Sequence, residues 1–192
     1  STAETSVMTS SSETRRPHNL EHQPPLHHAN IILTGFMASG KSTVATALRD
    51  ISQFELKDTD QMIVDQTGLS IQEISKTFGM THFRDLESNV CLQLGDISNT
   101  IVSTGGGTLM TPRNINILQQ LGPIFLLWPT LGTILKRLEY DTERPLNQSI
   151  PEITALWHER KETYFNTATH HIHIDTETPQ DIALKIWNIY NE

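Results

Sequence analysis

The sequence predicts an α/β fold, a three-layer sandwich in which a five-stranded parallel sheet is flanked by helices. Three observations carry that prediction. From Asn30 onward, short apolar runs alternate with longer helical patterns, as strand–helix–strand units require. The first apolar run passes directly into a glycine-rich turn and then a helix. Thr-Pro pairs at 111–112 and 178–179 each supply an N-cap followed by proline at the first helical position.

Taken in order, Ile31-Ile32-Leu33 is the first strand, and the helix after the turn runs to residue 51. A short strand over 54–56 leads into Asp58-Thr59-Asp60 and a helix ending at Gly68. Two further helices cover 71–78 and 81–94. The third strand, 100–103, runs into Gly105-Gly106-Gly107. A helix over 112–121, a fourth strand over 124–128 and a helix over 131–140 follow. The polar stretch 141–149 interrupts the pattern before a helix over 151–165. A fifth strand over 171–174 and a final helix from Thr178-Pro179 to residue 190 complete the chain.

Composition narrows the function classes. The 192 residues suit one such domain, at 29–192, with a short extra tail. Residues 1–28 are rich in Ser, Thr, Pro and His and lack apolar periodicity, so they read as a disordered N-terminal tail. Glu4, Glu13 and Glu21 offset Arg15 and Arg16, which argues against a transit peptide. With 14 Lys and Arg against 22 Asp and Glu, the net charge is −8, a surface that repels nucleic acid and anionic membrane. No apolar run approaches the roughly 20 residues needed to span a bilayer. The single cysteine, Cys91, excludes an internal disulfide framework and fits a reducing cytoplasm. The expectation is a cytoplasmic monomer that binds neither nucleic acid nor membrane.

The most specific chemical signal is Gly35-Phe36-Met37-Ala38-Ser39-Gly40-Lys41-Ser42, a complete G-x-x-x-x-G-K-[ST] pattern between a strand and a helix. Its glycines let the backbone N–H groups form a concave nest for phosphate, and the helix adds its positive dipole end. Lys41 is placed to bridge β- and γ-phosphate oxygens, and Ser42 to ligate Mg²⁺. The fold is therefore expected to be of the P-loop kind, binding a nucleoside triphosphate.

Other signals gain meaning beside that loop. Asp58 and Asp60 follow the second strand at the sheet edge where ligands bind in open α/β folds. If the segment stays extended, both carboxylates point toward the phosphate loop, one for a metal or its water and one for an acceptor hydroxyl. Alternatively the segment simply caps the following helix. Gly105-Gly106-Gly107 marks a backbone that something approaches closely. Arg84, Arg144 and Arg160 would matter for an anionic acceptor, since guanidinium binds carboxylate bidentately. Arg144 sits in the polar interruption, which reads as a lid bringing positive charge to a transferring phosphoryl group.

Several residues are expected to be structural. His171 and His173 share a strand face with no nearby acid or Cys to complete a metal site. Cys91 falls among Leu86, Val90 and Leu94 and reads as a buried thiol. Trp128, Trp157 and Trp187 read as packing residues.

From Asn30 to the C-terminus the chain resembles the shikimate kinases, small members of the nucleoside-monophosphate-kinase-like P-loop group. The resemblance rests on motifs in order: GFMASGKST (35–43), DTD (58–60), FGMTHFRDLE (78–87), GGG (105–107), ERPL (143–146) and ERKETYF (159–165). It implies that Gly35, Ala38, Ser39, Gly40, Lys41, Ser42 and Thr43 bind the ATP phosphates, with Ser42 and, through water, Asp58 at Mg²⁺. It further implies that Asp60 meets the shikimate hydroxyls and accepts or orients the reacting proton. Arg84 and Arg160 would grip the shikimate carboxylate beside the Gly106 amide. Arg144 in the lid would stabilise the phosphoryl group in transfer, and Arg137 would pack on adenine, helped by the loop at 175–179. The implied catalytic set is Lys41, Asp60 and Arg144, on a fold with a moving lid and a substrate-binding helical region.

Two positions depart from the family pattern. Ser75 stands where Phe is frequent, and Leu146-Asn147 replaces paired leucines. The competing expectations are a related kinase acting on gluconate or a nucleotide, and a catalytically silent P-loop binding module. The combined DTD, FR and GGG motifs disfavour the first; retention of Lys41, Asp60 and Arg144 disfavours the second.

Overall fold

The computed structural model describes residues 30–140 and 148–192. The expected tail at 1–28 lies outside the described residues, as does most of the expected lid, Arg144 included.

Five parallel strands form one sheet in the order β2-β3-β1-β4-β5, as the alternation of patterns predicts. They are β1 (Asn30–Thr34), β2 (Glu55–Asp58), β3 (Thr100–Ser103), β4 (Ile124–Pro129) and β5 (His170–Ile174). Every residue of the three central strands is buried, which explains why each reads as an uninterrupted apolar run. The edge strand β5 alternates instead, burying Ile172 and Ile174 and exposing His171 and His173.

Helices cover both faces. On one, α1 (Lys41–Ser52) and α8 (Pro179–Tyr190) close over Leu33, Leu48, Phe125 and Ile186. On the other, α4 (Met80–Gln93) and α5 (Pro112–Leu121) close over Ile32, Cys91, Val102 and Leu118. Adjacent residues Ile32 and Leu33 thus serve opposite layers, as strand geometry dictates. Two smaller clusters shape the ends. Helices α6 (Leu131–Glu139) and α7 (Ile150–Thr167) pack around Phe36, Trp128, Trp157 and Tyr164. Helices α2 (Thr59–Thr67) and α3 (Ile71–Phe78) join α4 around Ile63, Ile74, Phe83 and Val90. The three tryptophans pack as expected: Trp128 stacks on Trp157 with centroids 4.9 Å apart, and Trp187 meets Phe54 edge-on.

The strand order places the site. The chain leaves β1 over β3 to form β2, returns to β3, then crosses β1 to form β4. The crossovers diverge at β1, which opens a crevice beyond the carboxyl ends of β1 and β3.

At the opposite edge one side chain ties three connections. The Asn30 amide, 3 % exposed, donates to the Ile97 and Leu121 carbonyls, both at 3.0 Å, and accepts from the Thr100 N–H at 3.2 Å. Gly122 passes so close that a Cβ there would collide with the Asn30 carbonyl. Asn30→Ala strands two buried backbone groups and one half-buried one and should cost about 2–4 kcal/mol of stability in urea unfolding.

Candidate active site

The phosphate loop is built by backbone conformation. Ala38 (φ 57°) and Gly40 (φ 94°) adopt left-handed geometry on either side of a negative-φ Ser39, the alternation of hand on which an anion nest is built. Gly35 serves a different need: a Cβ there would lie 2.6 Å from Ser39 Oγ and 2.8 Å from the Leu127 carbonyl. Gly40 caps α1, so Lys41, Ser42 and Thr43 form its first turn. Lys41 Nζ donates to the Gly35 carbonyl at 2.6 Å and the Phe36 carbonyl at 3.1 Å, folding its ammonium over the loop.

Across the crevice, three consecutive glycines each receive a different side chain. A Cβ on Gly105 would lie 2.7 Å from Asp60 Oδ1. One on Gly106 would lie 3.6 Å from Arg160 Nη1, 3.7 Å from the Met37 N atom and 3.9 Å from the Gly35 carbonyl. One on Gly107 would fall inside the Arg84 guanidinium. Asp60, Arg160 and Arg84, drawn from α2, α7 and α4, therefore converge on one backbone segment that abuts the phosphate loop.

The geometry of the acidic pair differs from the extended one considered above. Asp58 ends β2 with extended dihedrals and caps α2, accepting the Gln61 N–H at 3.0 Å. Asp60 already lies in the first helical turn. Capping and the site are compatible, because the helix start itself delivers Asp60 to Gly105. Buried Thr59 locks the junction, its hydroxyl accepting the Gly105 N–H at 3.0 Å.

On the other flank of the loop, a cavity of about 770 Å³ is lined by Ala38, Gly40, Thr43, Arg137, Tyr140, Glu177 and Pro179. Arg137 Nη1 donates to the Ala38 carbonyl at 2.9 Å. The structure thus brings Arg137 and the 175–179 loop to one cavity beside the nest, as a nucleoside site requires. Backbone N–H groups of Asp175 and of Glu177 itself bond the exposed Glu177 carboxyl and hold its pKa below the ordinary value.

For a hard divalent cation the oxygen donors available are the Ser42 hydroxyl and the Asp58 oxygen not used in capping. Asp58 pairs in register with Ser103 and Ser103 with Leu33, which sets Asp58 about 10 Å from the end of β1 that feeds the loop. Two such donors fit Mg²⁺, which keeps much of its water and draws other ligands from phosphate.

A family model described as shikimate kinase matches residues 37–191. The shikimate kinase of Geobacter sulfurreducens is 36% identical over 170 residues, covering 88% of this chain and 94% of that one. This chain belongs to the shikimate kinase family. The shikimate kinase of Caldicellulosiruptor bescii is 35% identical over 164 residues, 84% of this chain and 95% of its own. The structure of the Acinetobacter baumannii shikimate kinase in complex with shikimate superposes with a TM-score of 0.78 at 30% identity, covering 84% of this chain and 92% of that one.

Three groups of this shikimate kinase family member carry no role in the sequence analysis yet organise its site. Glu87, fully buried, pairs through Oε1 with Arg84 Nη1 at 2.8 Å and accepts through Oε2 from Thr108 Oγ1 at 2.9 Å. Its signal was present: it shares a helical stripe with Phe83, Val90 and Cys91, and a carboxylate on an apolar stripe demands partners. Thr59 and Tyr164 lie within quoted motifs, but only tertiary contacts give them a task. Cys91 is inert as expected, burial and the neighbouring Glu87 pushing its thiol up to about 12.

Because Gly107 has ordinary dihedrals (φ −105°), its backbone tolerates alanine. Gly107→Ala should push Arg84 away from buried Glu87, lowering the melting temperature by several degrees and raising the acceptor KM about tenfold or more in steady-state assays.

Proposed function

We propose that this chain transfers the γ-phosphoryl group of ATP to the 3-hydroxyl of shikimate, giving shikimate 3-phosphate and ADP. One observation carries the reading: the glycine segment 105–107 gathers a carboxylate and two guanidinium groups directly against the phosphate loop. A small acceptor bearing both a hydroxyl and a carboxylate satisfies that set. Membership of the family supports the same substrate.

In this scheme the loop amides of Gly35, Ala38, Ser39 and Gly40, with Lys41 and Thr43, hold the phosphates. Lys41 exchanges its carbonyl partners for β- and γ-phosphate oxygens. Arg137 packs on adenine in the flanking cavity. Arg84 and Arg160 grip the carboxylate, and the Gly106 amide lines the same pocket. Asp60 orients the acceptor hydroxyl and takes its proton as the oxygen bonds to the γ-phosphorus and the bond to the ADP oxygen breaks. Arg144, outside the described residues, is assigned to the charge on the phosphoryl group in transfer. Ser42 and Asp58 would hold Mg²⁺, which when bound neutralises phosphate charge. The absence of a helix long and apolar enough to cross a membrane among the described residues is compatible with the cytoplasm.

The test is ADP release with shikimate, with gluconate, with nucleoside monophosphates and without acceptor. Stimulation by shikimate alone is expected; stimulation by gluconate but not shikimate would overturn the substrate, and no stimulation by any acceptor would favour a silent module. Asp60→Asn should lower turnover by about 10²–10⁴ with ATP affinity retained, read by stopped-assay kinetics and nucleotide titration. Arg160→Ala should act mainly on binding, raising the shikimate KM by about 10- to 100-fold.

A further inference from the structure

Thr108 opens the short 3₁₀ turn Thr108–Met110 after the glycine segment and takes part in none of the steps above. It is fully buried, as are Glu87 and Asn114 beside it. Its backbone is held at both ends. The N–H donates to the Gly105 carbonyl at 3.2 Å, and the carbonyl accepts from Asn114 Nδ2 at 3.0 Å. The hydroxyl so delivered lies 2.9 Å from Glu87 Oε2. A carboxylate only accepts, so this bond has a fixed sense, with the Thr108 proton on Oε2. The other oxygen, Oε1, accepts from Arg84 Nη1 at 2.8 Å. Arginine and carboxylate side chains frequently pair through two parallel bonds that engage two nitrogens at once. Here one oxygen meets one nitrogen. The Arg84 side chain keeps 28 % of its surface exposed against 1 % for Glu87, so the pair is closed on the Glu87 side and open on the Arg84 side.

We infer that Thr108 is a positioning residue for the acceptor: by occupying Glu87 Oε2 it restricts the buried carboxylate to a single bond with Arg84 and leaves the rest of the guanidinium for the substrate carboxylate. A buried carboxylate oxygen without a partner is costly. With the Thr108 hydroxyl gone, the guanidinium already bound to Oε1 is a donor able to satisfy Oε2 as well. The terminal torsion of a glutamate is soft, so the carboxylate can turn to meet it. The five N–H groups of arginine form a rigid fork, and an edge engaged by one carboxylate is closed to a second. Thr108 and Arg84 therefore divide the two oxygens of Glu87 between them. The glycine segment leaves room for this division, since a Cβ on Gly105 would lie 3.3 Å from Glu87 Oε2 and 3.2 Å from Thr108 Oγ1.

The inference rests on the proposed acceptor reading and is tested on the full chain with Thr108→Val, which replaces the hydroxyl by a methyl group of similar size. The shikimate KM should rise about 5- to 20-fold, with kcat within about twofold and the ATP KM unchanged, the pattern of weakened acceptor binding. Thr108→Ser keeps the hydroxyl and loses the methyl, and its shikimate KM should stay within about twofold of that of the unmodified enzyme. Against the shikimate analogue whose carboxylate is replaced by a hydroxymethyl group, Thr108→Val should have little effect, because Arg84 has no carboxylate to grip. A crystal structure of Thr108→Val should show Glu87 bonded to Arg84 through both oxygens. The inference is overturned if the KM holds steady, if kcat falls in place of a KM rise, or if Thr108→Ser fails to restore the KM. It is equally overturned if Glu87 still meets Arg84 through one oxygen in Thr108→Val. Should that variant not fold, Thr108→Ala removes the same hydroxyl and is read by the same KM and the same pair. If the unmodified enzyme does not phosphorylate shikimate, the acceptor reading has failed; the crystallographic comparison still decides how Glu87 is divided, so the two failures are distinct.

Discussion

The absence of Cβ atoms at 105 and 107 is the constraint on which the acceptor side of the crevice depends. Asp60, Arg160 and Arg84 reach this segment from three different helices; Asp60 and Arg84 occupy space that a Cβ on Gly105 or Gly107 would take, and Arg160 lies in ordinary contact with Gly106. Glycine costs about 0.5–1 kcal/mol in backbone entropy relative to alanine. Thr59 offsets part of that loosening by accepting the Gly105 N–H, and Tyr164 does so by holding the Gly106 carbonyl. The segment is thus a flexible sequence fixed by its surroundings, which lets one carboxylate and two guanidinium groups share a small volume beside the phosphate loop.

Positive charge gathers on both sides of that volume, in a chain whose net charge is −8. Lys41 and the helix dipole of α1 face it from the donor side, and Arg84 and Arg160 from the acceptor side. Glu87 and Asp60 prevent the cluster from being purely repulsive before substrates bind. Such local arrangement matters more than the overall sign, because burial strengthens these interactions relative to those at the solvated surface.

Local pattern made much of this legible in the sequence. Continuous apolar runs identified β1, β3 and β4 because those strands are buried on both faces, and the phosphate loop was readable because its chemistry is contiguous. Asp58 and Asp60 stand out in the sequence, but whether the chain stays extended or turns helical at Thr59 depends on a capping bond that competes closely with strand continuation. The convergence of Asp60, Arg84 and Arg160 was not readable from spacing, since it follows from how α2, α4 and α7 pack. It entered through family resemblance instead. Tyr164 escaped notice for a simpler reason: an aromatic residue on a helix facing the core is ordinarily packing, and its hydroxyl partner lies 58 residues away.

The Arg84–Glu87 pair has an evolutionary consequence. Glu87 is buried, and Arg84 is its one basic ion-pair partner among the described residues. Removing one member of such a pair typically costs about 3–5 kcal/mol, a large share of a domain's total stability. A lineage drifting away from carboxylate acceptors could not discard Arg84 without first neutralising Glu87. The ion pair therefore acts as a ratchet, retaining Arg84, the arginine proposed to grip the acceptor, for reasons of folding and delaying its loss until two codons have moved together.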